Sequence, residues 1–149
     1  RFSAYFDSLC RMGLEYNEDN VFEMTAEQID DQMPATDAQV DCVAAQIHQG
    51  VRAWMCPSDW AGYTLCRGLM DRGFDVPKDV SVTGFDDIER DRLGCPRLTT
   101  VSTPALKIGA EALRRLITRV RHPNRAQLDV RLQCKLIEGA TAGPFSSDD

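Results

Sequence analysis

Residues 76–87, VPKDVSVTGFDD, constrain the fold of this chain more than any other segment. A proline and an aspartate near its start favour a turn, residues 80–83 predict a short buried strand, and Gly84 ends that strand. Asp86 and Asp87 then follow at the strand's carboxyl end. Because open α/β sheets bind their ligands outside the carboxyl ends of their strands, this segment predicts a binding site.

Helix and strand patterns alternate along the first two thirds of the chain. Asp37 is expected to cap one helix, and Ser58 or Asp59 to cap the next. Apolar spacing predicts helices over 1–13, 37–50 and 58–73, and strands over 21–24, 51–56 and 80–83, with a loop over 25–36. Since crossovers between parallel strands are right-handed, this order predicts an α/β fold: an open parallel sheet with helices on both faces.

The last third begins with a strand-like run at 99–101, after which Pro104 opens a long helix that extends to Val120. The apolar stripe of this helix is wide, so another surface must cover it. A turn at 121–125 and a strand over 128–137, expected at a sheet edge, come next. Residues 139–149 have the composition of a frayed tail.

Composition and charge describe an ordinary globular chain. With 149 residues, of which 43% are hydrophobic and 27% charged, the chain is long enough for one domain with a core. Its formal net charge is −6, and no basic run stands out. Because such a surface repels a phosphate backbone, direct DNA binding by this chain is not expected.

The six cysteines are scattered, without a CxxC pair, and only two histidines accompany them, so zinc-site spacing is lacking. They are expected to be mostly small apolar fillers in a reducing compartment, with three disulfides as the alternative. No apolar run of membrane-spanning length is present. A cytoplasmic location is expected, although a chain that opens without Met can have lost an upstream segment.

The run at 76–87, together with PRLTTV at 96–101, resembles the effector-binding domain of LacI/GalR family bacterial transcription regulators. The resemblance extends over about 1–143 and is strongest from 76 to 101. It implies a type I periplasmic-binding-protein-like fold in which a small metabolite binds between two subdomains. DNA is then bound only through a helix-turn-helix domain that is absent from this chain.

The same resemblance implies how the chain is divided. Residues 1–98 and 127–143 correspond to the C-terminal subdomain. Residues 99–126 correspond to a crossover and a helix of an N-terminal subdomain that is otherwise missing, and 144–149 to a disordered tail. We therefore expect the long helix to find another surface by self-association as a homodimer, with exchange of segments between chains as one route.

Asp86 is the first candidate for effector binding. In the family, the first aspartate of this pair points into the cleft, and a carboxylate suits that role because its two oxygens can hold two neighbouring hydroxyls. The alternative for Asp86 is a turn or helix-cap residue. Asp87 is expected to be structural, because neighbouring side chains leave a strand end in different directions.

Ser58 and Asp59 stand where the family commonly has Asn-Asp, of which the asparagine touches the effector and the aspartate caps a helix. Serine is shorter and offers one donor, so capping is an equal interpretation for both residues. For Trp60, stacking on a pyranose and packing beneath the sheet edge both stay open. Trp54 lies within a strand and is expected in the core.

Arg1 matches the arginine of the family's R-x-x-G-F segment, whose guanidinium reaches ligand oxygens. In this chain Ala4 and Tyr5 replace Gly and Phe, so the match is partial.

No catalytic residue, cofactor or metal is predicted, because P-loop, G-x-S-x-G and G-x-G-x-x-G motifs are missing. Mg²⁺ held by Asp59, Asp86 and Asp87 is a weaker alternative. The predicted function is the ligand-sensing part of a LacI-type regulator, with a carbohydrate as the expected effector. A sugar-binding protein of a transport system is the alternative, and a flavodoxin-like enzyme is the third hypothesis.

Overall fold

A computed structural model describes residues 2–22, 34–88, 93–126 and 128–144. Its helices are α1 (Phe2–Met12), α2 (Asp37–His48), α3 (Asp59–Asp71) and α4 (Ala105–Arg121), with a short 3₁₀ helix at Glu18–Asn20. Its strands are β1 (Ala53–Met55), β2 (Ser81–Thr83), β3 (Thr100–Ser102) and β4 (Lys135–Ile137).

The four strands in the described ranges form two pairs, β1 with β2 and β3 with β4, and isolated bridges join the two pairs. β1 and β2 are parallel, with Trp54 opposite Val82. A parallel bridge between Thr83 and Thr99 continues the sheet toward β3, and β4 pairs antiparallel with β3. The predicted α/β fold class is confirmed, with β4 as the antiparallel addition.

The core lies between this sheet and the helices α2 and α3. A Cβ added to Gly68 of α3 would lie 2.7 Å from a methyl carbon of Val40, so glycine permits the close approach of the two helices. Trp54 is buried and stacks on Phe22 with ring centroids 5.3 Å apart, which confirms its predicted place in the core. The most deeply buried apolar side chains are Val40, Val43, Ile47, Cys66, Leu69, Val80, Val82 and Leu98.

The starts of α2 and α3 follow from side-chain capping. The prediction that Asp37 caps α2 is wrong, because Thr36 occupies that position and forms a capping box with Gln39. Asp37 is the first helical residue, where the positive end of the helix dipole still stabilises a carboxylate. Ser58 caps α3, as one of the two predicted candidates.

Three predicted strands differ from the observed ones. The strand predicted over 51–56 is reduced to β1, which pairs with three residues of β2. The strand predicted over 128–137 is reduced to β4, which pairs with three residues of β3. At 21–24, Val21 and Phe22 are not in a strand, and the other two residues lie outside the described ranges.

The prediction of a frayed tail from residue 139 is wrong for residues 139–143. Thr141 is fully buried, its hydroxyl donates to the Val82 carbonyl at 2.7 Å, and its carbonyl accepts from the Val82 N–H at 2.8 Å. The segment therefore lies against β2 because it satisfies backbone groups of that strand. Residues 145–149 are outside the described part.

Helices α1 and α4 bury no residue among those described. The stripe of α4 is exposed along its length, at Leu106, Leu113, Leu116, Ile117 and Val120. None of the helices in the described ranges combines the length and apolar character needed to cross a membrane.

Candidate functional site

The carboxyl ends of β1 and β2 adjoin, and this is where the chain turns toward α3 on one side and Asp86 on the other. The Cys56 N–H donates to the Thr83 carbonyl at 2.9 Å, and the Asp59 N–H donates to the Phe85 carbonyl at the same distance. These two bonds bring the start of α3 beside the segment that follows β2. Four of the candidates therefore lie in the two segments that meet at the carboxyl ends of β1 and β2: Ser58, Asp59, Trp60 and Asp86.

Ser58 serves as the N-cap of α3, because its Oγ accepts a hydrogen bond from the Ala61 N–H at 3.3 Å. Trp60 is the second residue of α3 and is half-buried, which leaves both of its interpretations open. Arg1 lies outside the described residues. Contact of any of these three with an effector stays a prediction.

Asp59 has a different environment from the one expected of a helix cap. It is only 4% exposed, and its carboxylate accepts hydrogen bonds from the Ile88 N–H at 2.8 Å and from the Thr100 hydroxyl. A Cβ at Gly84 would lie 2.3 Å from Asp59 Oδ1, so only glycine leaves room for this carboxylate. Both oxygens of Asp59 are engaged within the chain, and its predicted effector contact stays untested.

Asp86 and Asp87 lie in the left-handed region of backbone conformation, with φ of 102° and 55°. Non-glycine residues there cost about 1–3 kcal/mol each, and such residues concentrate at ligand sites. The Asp86 N–H donates to the Val101 carbonyl at 2.9 Å, which ties the segment to β3. Asp87 lies 3.8 Å from the Arg97 guanidinium, in keeping with a structural role.

A cavity of about 400 Å³ lies elsewhere, between α4 and residues 125–129, and none of the predicted site residues lines it. Its arginines are fixed locally: Arg119 donates to the carbonyls of Pro123 and Arg125, and Arg115 donates to that of Leu128. Glu111 accepts from Arg114 and Arg115, which lowers the pKa of its carboxyl to about 2.

The buried thiols are not poised for nucleophilic chemistry. Burial raises the pKa of the Cys56 and Cys66 thiols to about 12, and it also raises that of Cys95. The thiolate is the reactive form, and a raised pKa keeps these groups protonated. They pack as small apolar side chains. Within the described ranges, no group of three or more His, Cys, Asp or Glu side chains forms a metal site.

This chain is similar in sequence to known proteins. Residues 1–142 match the family described as "Periplasmic binding protein-like domain". The uncharacterized HTH-type transcriptional regulator YvdE of Bacillus subtilis is 30% identical over 100 residues, which are 65% of this chain and 32% of the regulator. The ribose operon repressor of Haemophilus influenzae is 33% identical over 72 residues, 48% of this chain and 22% of the repressor.

Among solved structures, the transcriptional regulator CelR–cellobiose complex is 25% identical, with a TM-score of 0.76. The match covers 93% of this chain and 40% of that chain. The matched segments therefore cover less than half of the length of each of these three regulators.

Proposed function

This chain belongs to the periplasmic binding protein-like domain family, as an effector-binding domain of the LacI type. We propose that it binds a small sugar-like effector at the carboxyl ends of β1 and β2. The observation that supports the proposal is the Asp59–Phe85 backbone bond, by which the start of α3, with Ser58 and Trp60, lies beside the segment that carries Asp86. The similar proteins include a ribose operon repressor and a regulator in complex with cellobiose.

In this function the effector acts by population shift. It favours one arrangement of two subdomains and thereby changes the placement of attached helix-turn-helix domains that bind DNA. In this proposal, residues 1–98 and 127–143 belong to one subdomain, and residues 99–126 comprise the crossover, which begins with β3, and the helix of the other. Because such a regulator acts where the DNA is, the proposal includes a cytoplasmic location.

The candidate residues have separate roles in this proposal. Asp86 accepts hydrogen bonds from two neighbouring hydroxyls, Trp60 stacks on the apolar face of a sugar ring, and Ser58 contributes one hydroxyl. Arg1 donates to ligand oxygens. No catalytic residue or cofactor is assigned, and the regulator relatives favour this function over a sugar-binding transport protein.

The test is effector binding by the full-length gene product, measured by calorimetry against ribose, cellobiose and further mono- and disaccharides. Changing Asp86→Ala should weaken binding by about tenfold or more, because removing one partner of a buried charged hydrogen bond costs about 2–5 kcal/mol. Asp86→Asn keeps a side chain that tolerates the left-handed backbone, so it isolates the loss of charge.

Asp87→Asn is the matched control, since this neighbour has the same backbone character and is assigned to the ion pair with Arg97. We expect its affinity for the sugar to equal that of the unchanged protein. Equal affinity of the Asp86→Ala variant and the unchanged protein would contradict the assignment of Asp86.

We further propose that α4 mediates self-association as a homodimer when the rest of the N-terminal subdomain does not cover it. Its exposed stripe forfeits about 1.5–3 kcal/mol for each apolar side chain that stays in water. The 149-residue chain should sediment as a dimer, and Leu113→Glu with Leu116→Glu should return it to a monomer.

Thr118→Glu is the control, because it adds a negative charge on the side of α4 away from Leu113 and Leu116 and should leave the dimer intact. A monomeric 149-residue chain at every protein concentration in sedimentation velocity would refute this proposal.

A further inference from the structure

The segment that presents Asp86 is strained and must be held in place. Asp86 and Asp87 are consecutive non-glycine residues at positive φ, 102° and 55°. Such residues stay in this conformation only where the surrounding structure fixes the chain on both sides of them.

Asp59 provides fixation on both sides of the pair. Its backbone N–H donates to the carbonyl of Phe85, the residue just before the pair, at 2.9 Å. Its Oδ2 accepts from the N–H of Ile88, the residue just after the pair, at 2.8 Å. One residue at the start of α3 therefore brackets both left-handed positions.

The second carboxylate oxygen extends this arrangement to β3. Asp59 Oδ1 accepts from the Thr100 hydroxyl, and the Asp86 N–H donates to the carbonyl of the next β3 residue, Val101, at 2.9 Å. Asp59 and Thr100 are each only 4% exposed. Little water reaches this carboxylate to replace a lost bond, so each bond is worth more than at the surface.

We propose that Asp59 is a positioning residue: without touching the effector, it holds residues 85–88 against α3 and β3 so that Asp86 is presented at the sheet edge. This rests on the proposed function for the role of Asp86. The positioning itself is a property of the free protein, so it can be measured without any sugar.

The primary test is backbone amide exchange, followed by NMR in the full chain. Asp59→Ala should accelerate exchange of the Ile88 and Asp86 amides by about tenfold or more, as expected when a buried hydrogen bond is lost. Asp59→Asn should restore slow exchange, because an amide can accept from Ile88 and donate to the Thr100 hydroxyl oxygen.

Asp79→Ala is the matched control, since it removes a comparable bond, from the Asp75 N–H to Asp79 Oδ2 at 2.7 Å, in an exposed turn. It should leave the Ile88 and Asp86 amides unchanged. Slow exchange at these two amides in a folded Asp59→Ala protein, or faster exchange spread evenly over the chain, overturns the proposal.

Thr100→Val decides the case if Asp59→Ala fails to fold. It keeps the branched shape and removes only the hydroxyl, whereas Thr100→Ser keeps the hydroxyl. Faster exchange of the Ile88 amide in Thr100→Val but not in Thr100→Ser supports the proposal, and equal exchange in the two variants overturns it.

Sugar binding separates this proposal from the proposed function. If the unchanged protein binds neither ribose nor cellobiose, the sugar assignment loses its support while amide exchange still decides the role of Asp59. If the unchanged protein binds one of them, Asp59→Ala should lose affinity and Asp59→Asn should regain it. Unchanged affinity in a variant with loosened amides would overturn the positioning role.

Discussion

Gly139→Ala is expected to lower the free energy of unfolding by about 3 kcal/mol, the upper part of the range for overpacking a close contact. A Cβ at this position would lie 2.3 Å from the carbonyl oxygen of Arg97 and equally close to the carbonyl carbon and oxygen of Leu98. These are backbone atoms, so no side-chain rotation relieves the contact, and the segment after β4 must move.

That movement has a further cost in hydrogen bonds. The Gly139 N–H donates to the Thr99 hydroxyl at 3.1 Å, and the Ala140 N–H donates to the Arg97 carbonyl at 2.7 Å. The measurement is equilibrium unfolding in urea, with the fall in the transition midpoint read at constant m-value.

Gly109→Ala supplies the same chemical change with the opposite expected sign. Gly109 lies in α4, and a Cβ there meets no atom within 4 Å among the described residues. Alanine in a helix interior is favoured over glycine by about 0.5–1 kcal/mol, so this variant should be slightly stabilised. A similar destabilisation in both variants would show that the contact at Gly139 is not the cause.

The sequence predicted those parts of the site that depend on neighbouring residues. Residues 76–87 carry their own turn, strand and glycine exit, and β2 and the acidic pair lie where that pattern placed them. The cap at Ser58 followed likewise from the residues next to it. Local chemistry was sufficient here because each choice agrees with the fold around it.

The bonds of Asp59 were beyond sequence reasoning because its partners are distant along the chain. Ile88 is 29 residues away and Thr100 is 41, and neither spacing belongs to a local motif. The buried position of Thr141, 59 residues from Val82, was missed for the same reason. The composition of residues 139–143 resembles a tail, and only the partner strand fixes their place.

The exposed apolar stripe of α4 shows a feature that was predicted correctly while its partner was not. Its helical period was evident from the sequence, and the observed helix agrees with it, but the period carries no information about what covers it. The strand predicted over 128–137 failed on the same ground. Its apolar alternation was real, but the alternation did not show which of its residues pair with β3.

Leu69→Ala should produce the other large loss of stability, about 2–5 kcal/mol, which is the range for truncating a fully buried leucine. Leu69 lies on the inner side of α3 with no exposed surface, and it belongs to the core cluster that includes Val40 and Val82. Its removal leaves a cavity between α2, α3 and the sheet, because tightly packed neighbours relax only in part.

Leu14→Ala is the control for this truncation, because Leu14 is 53% exposed after the end of α1. We expect a change within about 0.5 kcal/mol for it, as for surface substitutions in general. Urea unfolding of both variants at the same protein concentration gives the comparison. The expected difference follows from burial alone, since the two changes remove the same atoms. If Leu14→Ala costs as much as Leu69→Ala, then the residues between α2, α3 and the sheet are not the chief source of stability, and the exposed N-terminal helix must be packed against another surface in solution.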